Sequence, residues 1–167
     1  MEKNLSNSEA LKKLKELAEK VRICMFATVD TTNNLYGRPM STAKVDDDGA
    51  IWFFTNAEQK AAQKAAGDEK VCLNYADPGS TTYMTVQGTS TLVADKAKMK
   101  ELWSPILKAW FPDGLETPGI ALIKVTPEQA HYWDVDAAKL KILYATVKSA
   151  LTGETTDMGK SGDLKIS

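Results

Sequence analysis

The chain has one histidine, His131, and two cysteines, Cys24 and Cys72, among its 167 residues. The single imidazole confines any histidine acid–base or haem-ligand scheme to one position. Neither cysteine has CxxC or Cys/His spacing and both sit in apolar runs, which argues against a zinc site or disulfide framework and fits reduced thiols in a cytoplasmic protein. Charge of one sign is also missing. With 21 basic side chains against 22 acidic ones, no global field draws the molecule to nucleic acid or to an anionic membrane. No apolar run reaches the length of a bilayer span, and the charged amphipathic N-terminal stretch has no apolar signal core. The GxGxxG, Walker, GxSxG and HExxH signatures are absent. Asp46-Asp47-Asp48 is followed by no ligand spacing and reads as a solvated hairpin tip, so no metal site is expected. Any anion bound here must be held by a local cluster of donors.

What is present, at 43% hydrophobic composition, suffices for one core: a domain over 1–150, followed by a polar tail over 151–167 that is expected to be loosely ordered. Ser6 to Glu9 has the form of a capping box, and Leu11, Leu14, Leu17, Ala18 and Val21 follow at helical spacing. The runs 23–29, 36–45 and 50–55 are rich in strand formers and separated by Asp/Asn/Gly turns, which predicts three antiparallel hairpin strands. Asn56 would cap a short helix that Gly67 stops, and 71–75 resumes strand character. The stretch 81–94 is long for one strand, and Gly88 near its middle predicts a bulge or bend. Asp95 caps a further helix, which Pro105 ends. Residues 120–125 and 130–135 read as two strands around Pro127. The fold class is therefore mainly β: a Greek-key antiparallel barrel of about six strands with helical decoration.

Arg38, Ser41, Lys44, Thr55 and Lys60 fall within a short span that this topology can bring to one sheet end. A guanidinium, hydroxyls, ammonium groups and a helix N-terminus together suit a phosphate monoester.

Arg38-Pro39-Met40, the Asp-rich turn with Gly49, then 51–56 with Lys60-Ala61 resemble the pyridoxamine 5′-phosphate oxidase-like flavoproteins. The segment 71–75, Val86-Gln87-Gly88, Leu102-Trp103, Phe111-Pro112-Asp113-Gly114 and Tyr132-Trp133-Asp134 are similar to the general-stress-protein branch of that family. The resemblance spans about Leu11 to Asp136. It implies an FMN-binding split barrel, a homodimer with FMN at the subunit interface. Arg38 and Lys60 would then hold the phosphate with Thr55 assisting, while Pro39, Met40 and Ser41 run along the isoalloxazine edge and Phe54 shapes the pocket. Tyr83, Gln87 and Trp133 would close the site from the partner subunit. Glu58 and Gln59 stand where the family commonly has Ser and Arg, and Tyr83 where relatives often have Gln. The acidic sequence after Trp133 cannot supply the basic motif of true pyridoxamine phosphate oxidases.

The implied activity is an FMN-dependent oxidoreductase using a small-molecule electron donor and acceptor, the flavin itself being the reactive group. The alternative is a non-catalytic protein that stores or senses FMN. Haem bound through His131, deazaflavin binding and a nucleic-acid-binding barrel complete the set, the last disfavoured by the neutral charge.

Overall fold

In the computed structural model, which describes residues 5–30, 32–58, 69–134 and 160–165, the alternation of side chains decides the architecture. Helix α1 (Asn7–Val21) turns Ala10, Leu14, Leu17 and Ala18 into the core, the apolar stripe of an amphipathic helix. It ends at Arg22, whose left-handed backbone (φ 64°) reverses the chain, and whose carbonyl accepts the Thr42 N–H at 2.8 Å. The strands follow as β1 (Leu5–Ser6), β2 (Ile23–Val29), β3 (Leu35–Val45), β4 (Ile51–Asn56), β5 (Glu69–Asp77), β6 (Thr82–Val93), β7 (Ile120–Asp134) and β8 (Lys160–Lys165). Their order is β1-β8-β7-β4-β3-β2-β5-β6, and an added β6–β7 ladder closes β2 to β7 into an antiparallel barrel. Closure leaves none of the six with an unpaired edge along its whole length.

Cys24, Phe26, Met40, Ile51, Phe53, Leu73, Tyr75, Met84, Val86 and Tyr132 fill the interior, with α1 packed against them. A second, smaller cluster on the outside of β4 gathers Trp52, Phe54, Met99, Leu102, Phe111 and Leu122. It is covered by α2 (Lys96–Leu102), whose N-cap Asp95 accepts from the Ala97 and Lys98 N–H groups. Pro105 ends that region by opening a 3-10 turn.

Two expectations need correction. Residues 120–134 form one strand, not two. Pro127 is tolerated because it lies opposite Gly88 at a register slip, and because β4 has let go of β7 at Val125 while β8 takes hold only at Gln129. A residue without an N–H costs least where the ladder on one side is interrupted. The C-terminal segment is also not all loose: 160–165 is a strand paired with both β7 and β1, and Leu164 is 1% exposed. The helix expected after Asn56 lies beyond residue 58, outside the described residues, although the Asn56 carboxamide does accept the Glu58 N–H at 2.9 Å. Among the described residues no helix is long and apolar enough to cross a membrane.

Candidate functional site

The strand period sorts the candidate residues onto two faces. On β3, Arg38, Met40 and Thr42 point inward while Pro39 and Ser41 are exposed outside. On β4, Ile51 and Phe53 belong to the interior cluster and Thr55 continues that face, whereas Trp52 and Phe54 lie outside it. Because Thr42 pairs with Phe53, Arg38 and Thr55 stand on one inner face, displaced from that pairing towards the same end of the barrel.

The two side chains are not ordinary for their types. Arg38 is partly buried, and its Nε and Nη2 atoms are sealed from solvent. Burial pulls the pKa of its guanidinium below the usual value, the signature of a cation whose charged form has lost hydration. Thr55 is 3% exposed, and its Oγ1 has no hydrogen-bond partner among the described residues. A buried hydroxyl left unsatisfied costs about 1–3 kcal/mol. A desolvated cation and an orphan hydroxyl on one face are complementary to an anionic oxygen cluster, so the residues present fit a phosphate group. The strand end that carries them is pinned: Asn56 Nδ2 donates to the Pro118 carbonyl at 3.1 Å, and Ala57 N–H to that of Gly119 at 2.7 Å.

Lys44 does not join this corner. A bulge between Thr42 and Lys44 sets Lys44 opposite Trp52, and its ammonium is bonded to Glu101 at 2.7 Å. Lys60 lies outside the described residues. Phe54 sits on the opposite side of β4 from Thr55, its ring 5.8 Å from Trp103 and 6.2 Å from Phe111. The aspartates of the 46–48 turn are engaged with Lys98 and the Trp52 indole, with Lys15, and with the Ala50 N–H respectively. Burial pushes the Cys24 thiol up to about 12, which leaves it protonated and inert.

The remaining candidates share the outer face of the barrel. Tyr83 and Trp133 are register partners across β6 and β7, and Gln87 pairs with Gln129, its side-chain oxygen accepting at 3.2 Å. One row of the sheet runs Pro39, Met25, Asn74, Thr85, His131, Asp163. Pro39 and His131 are thus four strand steps apart, about 19 Å along the sheet at the usual spacing. On the β3 side this face exposes Ile23, Met25, Val29 and Leu35, and on the other side Tyr83 and Trp133. Sequence reasoning missed Asp163, which bonds the His131 imidazole; it lies in a polar segment whose pairing has no local signal.

The fold is a small six-stranded antiparallel barrel that holds two polar side chains, the partly buried Arg38 and the buried Thr55, at one end. The chain belongs to the family described as pyridoxamine 5′-phosphate oxidase like, whose model matches residues 9–157. It is similar to a candidate general stress protein 26 of Jannaschia sp. CCS1, with 29% identity and a TM-score of 0.77, covering 94% of this chain and 98% of that one. A general stress FMN/FAD-binding protein of Xanthomonas citri shares the fold at a TM-score of 0.65 and 23% identity, covering 90% and 97% of the two chains. Protein bli-3 of Neurospora crassa is 29% identical over 121 residues, 66% of this chain and 58% of that protein. A shorter match, 31% identical, covers 36% of this chain and 6% of the β-alanine-activating enzyme of Drosophila melanogaster.

Proposed function

We propose that this protein binds FMN as a homodimer and serves as a flavin-dependent oxidoreductase in the reducing cytoplasm. The observation that carries the reading is the orphan Thr55 hydroxyl, buried on the same inner face as the desolvated Arg38 guanidinium. Those two groups would take the FMN phosphate, with Lys60 as a further donor. The bound flavin would supply hydride and electron transfer between small-molecule partners. The protein's part is to bind and orient it. Pro39, Met40 and Ser41 would follow the ring edge, and Phe54 would support the β4 wall from behind.

A second copy is needed for the rest of the site. Tyr83, Gln87 and Trp133 lie several strands away from Pro39 on the same barrel surface, too far for one flavin ring to touch both groups from one chain. Docking two outer faces would bring the β2–β3 side of one protomer to Trp133 of the other and cover Ile23, Met25 and Val29, an apolar patch of the kind that marks interfaces.

A storage or sensing role is favoured by one observation: the sequence that follows Trp133, Asp134-Val135-Asp136-Ala137-Ala138, carries no basic residue for a substrate phosphate. Oxidation of pyridoxamine phosphate is not part of the proposal. The test is direct. The purified protein, incubated with FMN and desalted, should retain a flavin absorption band, and a colourless product would sink the proposal. Turnover of an added electron acceptor with NAD(P)H would then separate the enzyme from the storage protein.

A further inference from the structure

The His131 imidazole is bonded through Nδ1 to Asp163 Oδ1 at 2.5 Å and lies 4.3 Å, centroid to centroid, from the Trp133 ring at 60°. A carboxylate only accepts, so Nδ1 carries the proton and Nε2 is left facing away from Asp163. Trp133 is 43% exposed. Its neighbours across the ladders are Tyr83 on β6 and Ser161 on β8. An indole so exposed has several rotamers open to it unless something beside it is fixed. Along its own strand that neighbour is His131, and what fixes His131 is Asp163. Asp163 in turn is held in place because the next residue, Leu164, is buried in the core.

We infer that His131 is a positioning residue for the flavin site, and that the C-terminal strand β8 is a working part of that site. Leu164 anchors β8, Asp163 orients the imidazole, and the imidazole sets the indole plane that one protomer offers to the flavin of the other. This rests on the FMN reading above and goes beyond it, because it gives a function to a histidine and a terminal strand that phosphate binding does not use. The arrangement is a chain of supports in which the last member alone meets the ligand, the usual way an exposed aromatic is preorganised.

The experiment is an FMN titration of the full-length protein, read both as affinity and as flavin fluorescence, for the wild type, His131→Ala, Asp163→Asn and the double variant. Thermal denaturation would show that each is folded. Loss of the imidazole or of its orienting carboxylate should weaken FMN binding about three- to tenfold. It should also raise the emission of the bound flavin, because a stacked indole quenches it and a wandering one does so less. The double variant should be no worse than His131→Ala alone, as expected for groups acting through one another. Asp163→Glu should recover part of the loss. Unchanged affinity and emission in a folded His131→Ala would overturn the inference while leaving the flavin reading intact. Losses that simply add in the double variant would break the relay from Asp163. A wild-type protein that takes up no FMN would overturn the flavin reading and this inference with it.

Discussion

Gly88 lies so close beneath β7 that a Cβ built there would stand 2.2 Å from the Thr126 carbonyl oxygen. The obstacle is backbone, not a side chain that can swing aside, and it sits at the register slip between β6 and β7. Gly88→Ala should therefore destabilise the protein by about 1–3 kcal/mol, the usual cost of overpacking. Urea denaturation would show it. A variant as stable as the wild type would mean that the bulge can slide.

Arg38 and Thr55 should separate binding from stability. Arg38→Ala removes charge-assisted bonds of about 1.5–3 kcal/mol, so FMN affinity should fall about ten- to a hundredfold. Thr55→Val keeps the side-chain shape and deletes the orphan hydroxyl. It should raise the stability of the flavin-free protein by about 1 kcal/mol while weakening FMN about fivefold. Paired melting curves and fluorescence titrations would check both, and a Thr55→Val protein that binds FMN undiminished would place the phosphate elsewhere.

Met25 projects from the middle of the exposed apolar face. In the proposed dimer this face is the interface, so Met25→Glu should shift sedimentation velocity from dimer to monomer and lower flavin affinity in step. An unaltered sedimentation coefficient would remove this face from the interface.

Asp134 should contribute to acid sensitivity. Burial, the largest single influence, opposes its ionisation, but the Lys13 bond, the charges of Lys13 and Lys20 and the Thr82 hydroxyl together outweigh it, and the carboxyl pKa falls below its ordinary 3.8. A carboxylate depressed on folding stabilises above its unfolded value, and the contribution is lost as pH falls through the folded one. Lys13 shows the complementary shift: burial lowers its pKa, yet the bonds to Asp134 and Glu16 raise it overall above 10.5. Its share is present below that value and fades only as pH rises past the folded one. Denaturant unfolding at a series of pH values should show wild-type stability dropping below about pH 4, with a shallower drop in Asp134→Asn. Equal slopes in the two proteins would rule the pair out as a source of acid sensitivity.

Leu164 is buried among α1 and barrel residues. Leu164→Ala should cost about 2–5 kcal/mol, as for a core leucine. A cost near zero, measured by the same unfolding experiment, would mean that β8 rests on the barrel without being part of its core.

Much of this was legible from local pattern. The hairpins from β2 to β4 follow from strand-forming runs between Asp/Asn/Gly turns, the Asp95 cap from a polar residue ahead of an apolar helical stripe, and the Gly88 bulge from a glycine in an overlong strand. Arg38 and Thr55 could be singled out because a phosphate demands their chemical types. What stayed hidden was set by partners distant in sequence. Pro127 looks like a strand break until Gly88 and the handover from β4 to β8 are seen beside it. Lys44 seems to converge with Arg38 until a one-residue slip rotates it to the other face. Residues 160–165 have a single large apolar side chain and a glycine, too little alternation to announce a strand, so the Asp163 contact to His131 could not be foreseen.

The pairing of Leu5 with Leu164 carries a kinetic consequence. This contact joins positions separated by nearly the entire chain, and its loop-closure entropy can be offset only once the intervening barrel has condensed. The clasp of β1, β8 and the far half of β7 should assemble after the rate-limiting step. Substitutions in it, Leu164→Ala first among them, should then quicken unfolding and leave the refolding rate nearly unchanged, which stopped-flow kinetics in urea would reveal.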